Sequence, residues 1–141
     1  MQEWKTSITI HTTIHASIEK VWNCWTMPAH ITEWCSASED WHTPSASNDL
    51  QAGGSFTTRM EAKDGSFGFD FGGIYDEVIL HQKISYTMGD GRTVNILFSG
   101  DEIQTHITET FDPEDHHPLD MQQAGWQAIL DNFKRYTEGI A

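Results

Sequence analysis

The stretch LDMQQAGWQAILDNFKRYTEGIA, residues 119–141, decides how the rest of the chain must fold. Wound as a helix, it places Gln122, Gly125, Trp126, Ile129, Leu130, Phe133, Tyr136, Thr137 and Ile140 within an arc of roughly 140°. Asp120, Gln127, Asp131, Lys134, Arg135 and Glu138 fall on the opposite side. It is the only long amphipathic helix the sequence offers, and its apolar face is heavy in aromatics. A single helix of that kind needs one concave surface to cover it. The segments before it supply the strands.

Upstream, Ile8, Ile10 and Ile14 alternate with Thr9, His11 and Thr13, the pattern of a half-buried strand. Ser17 can cap a helix whose residues Ile18, Val21, Trp22 and Trp25 follow at helical spacing. Pro28 can start a second short helix, Ala29 to Trp34. Trp41 to Asn48 reads as a weak strand, because Pro44 removes a ladder donor. Hairpins then follow. Phe56, Thr58 and Met60 share one face of a strand, and Thr57, Arg59 and Glu61 the other. Asp64-Gly65 predicts a two-residue turn, after which Phe67, Phe69 and Phe71 share a face.

Gly72-Gly73 marks a bulge or a close backbone approach, which leaves the facing of Ile74, Tyr75, Glu77 and Val78 open. Ile84, Tyr86 and Met88 form one further strand, and Val94, Ile96 and Phe98 another. Ile103, Thr105, Ile107, Glu109 and Phe111 face one way on the last. Gly89-Asp90-Gly91 and Gly100-Asp101 are the turns between these strands, and Asp112 to Pro118 is a polar loop. The order of strand, two short helices, about six antiparallel strands and a long helix predicts an α+β fold. Residues 1–141 are read as a single domain. A sheet of that size curls, with the helix on its concave side and solvent on the other.

Composition narrows the function. The net charge is −13, and the eight Lys and Arg are scattered. Nucleic acid needs a concentrated basic surface, and anionic membranes favour one. The acidity serves solubility, or attraction to a cationic partner. Cys24 and Cys35 form neither a disulfide framework nor a zinc spacing, and two thiols suit a reducing cytoplasm. No apolar run suggests a signal peptide or a membrane span. Glu114-Asp115-His116-His117 is the densest group of potential metal ligands, but adjacent loop residues chelate poorly, so no metal is expected.

Several motifs carry a family resemblance. Val21-Trp22-Asn23-Cys24-Trp25-Thr26-Met27-Pro28-Ala29-His30-Ile31-Thr32-Glu33-Trp34 resembles a signature of the START-related superfamily known as SRPBCC. Gly53-Gly54-Ser55-Phe56, Asp64-Gly65, Gly73-Ile74-Tyr75-Asp76-Glu77-Val78, Lys83-Ile84-Ser85-Tyr86-Thr87 and Gly125-Trp126-Gln127-Ala128-Ile129-Leu130 follow in the order seen there. The branch it most resembles is that of bacterial proteins similar to the C-terminal domain of the activator of the heat-shock chaperone ATPase. The resemblance implies a helix-grip fold, like that of START domains and the birch-pollen allergen, in which a curved antiparallel sheet wraps a C-terminal helix around a cavity. His81 departs from the pattern, standing where such proteins commonly carry proline. The superfamily has no universal catalytic set and implies none here.

Candidate cavity residues follow from strand parity and the helix wheel. Phe56, Met60, Phe69, Phe71, Tyr86 and Phe98 come from the sheet, and Trp126, Ile129, Leu130 and Phe133 from the helix. Trp25 and Trp34 match the motif of the short helices, which the resemblance places near a pocket mouth. Glu109 falls on the same inner face, where it could orient a ligand's polar end or act as an acid or base. Its other reading is a strand-end residue reaching solvent. Gln122 and Thr137 interrupt the apolar arc and need partners, either a ligand or backbone and water. Arg59, Glu61 and Asp70 pair on the outer face unless the parity is reversed.

These features favour non-enzymatic binding of a small apolar or aromatic ligand, such as a lipid, with no cofactor. A module that stimulates a heat-shock chaperone ATPase and a cyclase- or hydrolase-type enzyme using the same cavity are the alternatives. Monomer and homodimer are both compatible with the sequence.

Overall fold

The computed structural model describes residues 7–36 and 39–140. The isoleucine alternation becomes β1 (Ile8–Ile14), with Ile8, Ile10 and Ile14 buried. Ser17 then caps α1 (Ile18–Thr26), its hydroxyl accepting from the Lys20 amide at 3.2 Å. Pro28 occupies the first turn of α2 (Pro28–Trp34), where a missing N–H costs nothing. The chain continues through β2 (Trp41–Asn48), β3 (Ser55–Ala62), β4 (Gly68–Ile79), β5 (Lys83–Met88), β6 (Thr93–Gly100) and β7 (Thr105–Phe111) into α3 (Leu119–Gly139).

All seven strands form one antiparallel sheet in the order β1-β7-β6-β5-β4-β3-β2. Consecutive hairpins build the run from β2 to β7, and β1 returns to pair with β7. The first and second strands therefore occupy opposite edges, and α1 and α2 must bridge them. The sheet curls into a half-barrel gripping α3, the helix-grip arrangement. Pro44 sits where the β2–β3 register slips between His42 and Ser45, so the lost donor falls at an irregularity on an edge.

Two expectations, the two-residue turn and the place of Ile103, need correction, and one alternative is decided. The β3–β4 connection is a four-residue loop, Lys63 to Ser66, closed by the Ala62 amide on the Phe67 carbonyl at 2.8 Å. Gly65 takes φ +79 there, and Asp64 caps the loop by accepting from the Ser66 amide at 2.8 Å. Phe67 consequently lies before β4 and is 61% exposed. Ile103 stands in the β6–β7 turn, 77% exposed, so the inner face of β7 begins at Thr105. The bulge in β4 lies at Asp76 and not at the glycine pair. Gly72 and Gly73 serve close approach: a Cβ on either would stand 2.4 Å from the carbonyl oxygen of Phe56 or Thr87.

The bulge settles the parity left open. Tyr75 pairs with Tyr86 and is buried, and beyond the extra residue Val78 pairs with buried Ile84. Arg59 and Asp70 are direct cross-strand neighbours on the outer face, 3.5 Å apart, with Arg59 also bonded to Glu61 at 2.9 Å. Ile79 to Gln82 forms the β4–β5 turn, with His81 at φ 63. Proline cannot adopt that angle, so the turn differs in backbone from one carrying proline at this position.

Polar contacts hold α3 against the β1 edge. Lys134 donates to the Thr13 carbonyl at 2.6 Å, and Glu138 accepts from the His15 amide at 2.8 Å. On its other flank the His30 ring meets the Tyr136 hydroxyl at 2.5 Å, and Asn132 bonds the Ser36 carbonyl. Between these flanks, the face carrying Trp126, Leu130 and Phe133 looks into the half-barrel.

Candidate ligand-binding site

Inside the grip lies a cavity of about 420 Å³. The inner faces of β3, β4 and β5 give it Phe56, Thr58, Met60, Phe69, Phe71, Tyr75, Ile84 and Tyr86. Ile96 and Glu109 come from β6 and β7, and Trp126, Ile129 and Leu130 from α3. The bridging segment closes the remaining side with Trp25, Thr26, Ile31, Trp34, Cys35 and Ser36. Period-two alternation on the strands and 3.6-residue spacing on the helix bring these distant positions together.

The bridging segment is itself pinned. The Trp34 indole donates to the Cys24 carbonyl at 2.9 Å, and the Thr43 hydroxyl to the Cys35 carbonyl at 2.7 Å. Asn48 donates to the Thr26 carbonyl at 2.7 Å. Such bonds satisfy carbonyls that the ends of two short helices would otherwise leave without partners. The aromatic wall is equally interlocked: Phe56 packs edge-on to Tyr86 at 4.7 Å, and Trp126 stacks on Phe111 at 3.9 Å.

Three of the sequence candidates stand outside the lining. Phe133 is fully buried behind it, wedged between the Trp25 and Trp34 rings at 4.8 Å from each. Phe98 is likewise packed away, edge-on to Trp22 at 5.1 Å and Trp25 at 5.8 Å. Gln122 serves the loop before α3: its Nε2 donates to the Glu114 and His117 carbonyls at 3.0 and 2.8 Å. Its Oε1 accepts from the Glu114 amide at 2.9 Å. Backbone therefore takes both of its donors and one acceptor site, and no ligand is needed to satisfy it. Thr137 is buried with no hydrogen-bond partner at its hydroxyl among the described residues, and the Cys24 thiol is the polar group beside it.

Sequence reasoning missed several lining residues. Tyr75 was hidden by the unplaced bulge, and Trp41 by the weakness of a proline-bearing strand. Thr58 shares its strand face with Phe56 and Met60, so alternation alone could have found it. Cys35 and Arg92 lie in connections, where no periodicity exists to read. Arg92 enters the lining from the β5–β6 hairpin, with its Nε bonded to Asp90 at 2.7 Å.

Three ionisable groups of the lining, Glu109, Cys35 and Tyr86, are held neutral by their surroundings. Glu109 is 6% exposed, and burial pushes its carboxyl up to about 8. Burial, aided by the charge of Glu109, pushes the Cys35 thiol up to about 12. The Tyr86 phenol is raised well above its ordinary range, first by burial and then by Glu109. Near neutral pH the cavity thus presents O–H and S–H donors among apolar walls. Among the described residues no group of three His, Cys, Asp or Glu is placed to hold a metal ion. His117 bonds instead to Glu114 at 3.1 Å.

The family described as activator of Hsp90 ATPase homolog 1-like protein matches residues 15–138. The chain belongs to that family. An AHSA1-like protein from Aeromonas hydrophila is 47% identical, with a TM-score of 0.88, 94% of this chain and 92% of that chain being covered. A protein from Cytophaga hutchinsonii is 57% identical with a TM-score of 0.82 over the same shares, 94% and 92%. A protein from Nitrosomonas europaea shares the fold alone, at 17% identity and a TM-score of 0.78 over 92% of each chain. No curated protein matches. In this chain the long helix and the curled sheet meet across an internal space. No described helix is long and apolar enough to cross a membrane.

Proposed function

We propose that this protein binds a small, largely apolar ligand between the sheet and α3, without transforming it. The observation that carries this reading is the cavity itself, about 420 Å³ and walled by aromatic and aliphatic side chains. Pockets for small molecules are typically about 300–1,000 Å³, mostly apolar, with a few placed polar groups. A cavity costs its protein packing energy, on the order of 24 cal/mol per Å³ in cores, so a ligand that fills it returns dispersion contacts.

The protonated state of Cys35, Tyr86 and Glu109 speaks against a nucleophile or general base in the lining. A nucleophile or general base must act in its deprotonated form. The Cys35 thiol, at about 12, stays protonated, as does the Tyr86 phenol, and Glu109, at about 8, is mostly acid at neutral pH. Stimulation of a chaperone ATPase is suggested by the family's name and by no surface feature described above.

A thermal-shift screen against apolar and aromatic small molecules tests the proposal. A ligand at 100 times its Kd adds about 2.7 kcal/mol, which raises Tm by roughly 5–10 °C for a chain of this size. Members that raise Tm for the wild type and fail to do so for Thr58→Phe, which fills the cavity, support it. A library without any such member contradicts it.

A further inference from the structure

Among the described residues, Glu109 is the one acidic side chain that lines the cavity. It sits midway along β7 with buried Ile10 of β1 and buried Ile96 of β6 as its direct cross-strand neighbours. Neither can pair with a carboxyl group. Helix α3 presents Trp126, Ile129 and Leu130 to the same space, none of them titratable. The polar groups near it are the Cys35 thiol after α2 and the Tyr86 phenol on β5, both donors, with Tyr75 beyond. Arg92 acts on Tyr86 and is engaged by Asp90. Among the described residues nothing bonds the Glu109 carboxyl, and burial is the only influence on it.

The carboxyl opens onto the cavity with no partner from the described residues, so its hydrogen-bonding capacity is left for whatever occupies that space. We infer that Glu109, as a neutral acid, donates a hydrogen bond to a carbonyl oxygen of the ligand, so that the cavity selects apolar molecules bearing one such acceptor. This rests on the cavity-binding reading above and deepens it. A cationic ligand is the competing match for a lone carboxyl group. It would have to shed its hydration in an apolar space, and a buried ion pair regains that cost only with further hydrogen bonds. A carbonyl asks for no ionisation. The Tyr86 and Cys35 donors suit an acceptor as well, whereas a cation could use neither of their protons.

Three probes of one skeleton separate the cases: methyl naphthyl ketone, ethylnaphthalene and the corresponding naphthylethylamine, titrated by quenching of the wall tryptophans. The preference of the wild type for ketone over hydrocarbon should exceed that of Glu109→Leu by roughly 2- to 10-fold, the range of one net hydrogen bond. Ketone affinity should hold steady at lower pH and fall as pH rises through about 8, where Glu109 ionises. Glu109→Gln, which keeps a donor and cannot ionise, should bind the ketone with a flat pH profile, and it serves as well if the leucine variant does not fold. An equal preference in the wild type and Glu109→Leu overturns the inference, as does a flat wild-type profile. Tightest binding of the amine, strengthening with pH, also overturns it. Hydrocarbon binding alongside any of these results leaves the cavity reading standing, whereas binding of no probe overturns both.

Discussion

The indole of Trp126 lies flat on the ring of Phe111, their centroids 3.9 Å apart and their planes within 9°. Phe111 closes the last strand and is 1% exposed, while Trp126 projects from the second turn of α3. The pair joins sheet to helix beside the cavity. Phe111→Ala should cost about 3–5 kcal/mol in urea denaturation, as large core truncations do. A double-mutant cycle with Trp126→Ala should return a coupling of about 0.5–1.5 kcal/mol, the worth of an aromatic pair beyond its buried area. A coupling of zero would mean that the rings are neighbours without holding the helix.

Gln122 supplies a second, independent expectation. Gln122→Ala strands one amide and two carbonyls of the loop, Glu114 and His117. Stability should fall by about 1–3 kcal/mol, and amide exchange should quicken at Glu114 and in the first turn of α3. Affinity for the naphthalene probes should stay within about twofold, well under the factor of ten that 1.4 kcal/mol represents. A large affinity loss with stability intact would return Gln122 to the ligand wall.

Two kinds of glycine can be told apart by alanine. At Gly73 a Cβ would stand 2.4 Å from the Thr87 carbonyl oxygen, so Gly73→Ala must displace strand backbone and should destabilise by more than about 1 kcal/mol. At Gly125 a Cβ meets nothing within 4 Å. This glycine enables no close approach, and Gly125→Ala should stabilise the protein by about 0.5–1 kcal/mol through helix propensity. Chemical denaturation of the two variants checks both signs.

That contrast also shows where sequence reading succeeds. The face of α3 was legible because a helix repeats one geometry for many residues, and Trp126, Ile129 and Leu130 do line the cavity. Strand alternation placed Phe56, Met60, Tyr86 and Glu109 in the same way. It failed where one residue breaks the period, as at the Asp76 bulge that hid Tyr75. Periodicity also reports only which face is inward, and not whether an inward residue meets a cavity or another side chain. Phe133 and Gln122 are inward, yet neighbours on other elements absorb them. The contacts of Phe133 are tertiary, and those of Gln122 reach back to a loop that has no periodicity to read.

Glu109 makes stability depend on pH in a direction opposite to that of a paired carboxylate. Burial raises its pKa from about 4.5 to about 8. Between those values the unfolded chain releases the proton and the folded chain keeps it. The contribution to stability is therefore full below about 4.5, declines as pH rises, and levels off above about 8. The total is on the order of several kcal/mol for a fully buried group. Glu109→Gln should remove this decline, so its denaturation midpoint should gain on the wild type as pH rises from about 5 to about 9. Parallel profiles for the two proteins would show that Glu109 is solvated or paired when folded.

The space beneath α3 should hold a small molecule in the cell. Native mass spectrometry of the protein purified from its own host tests it most directly. The wild type should carry a discrete, non-covalent mass that Thr58→Phe lacks, released intact on collisional activation. Wild type found only as the bare chain, under conditions that preserve the fold, would contradict it.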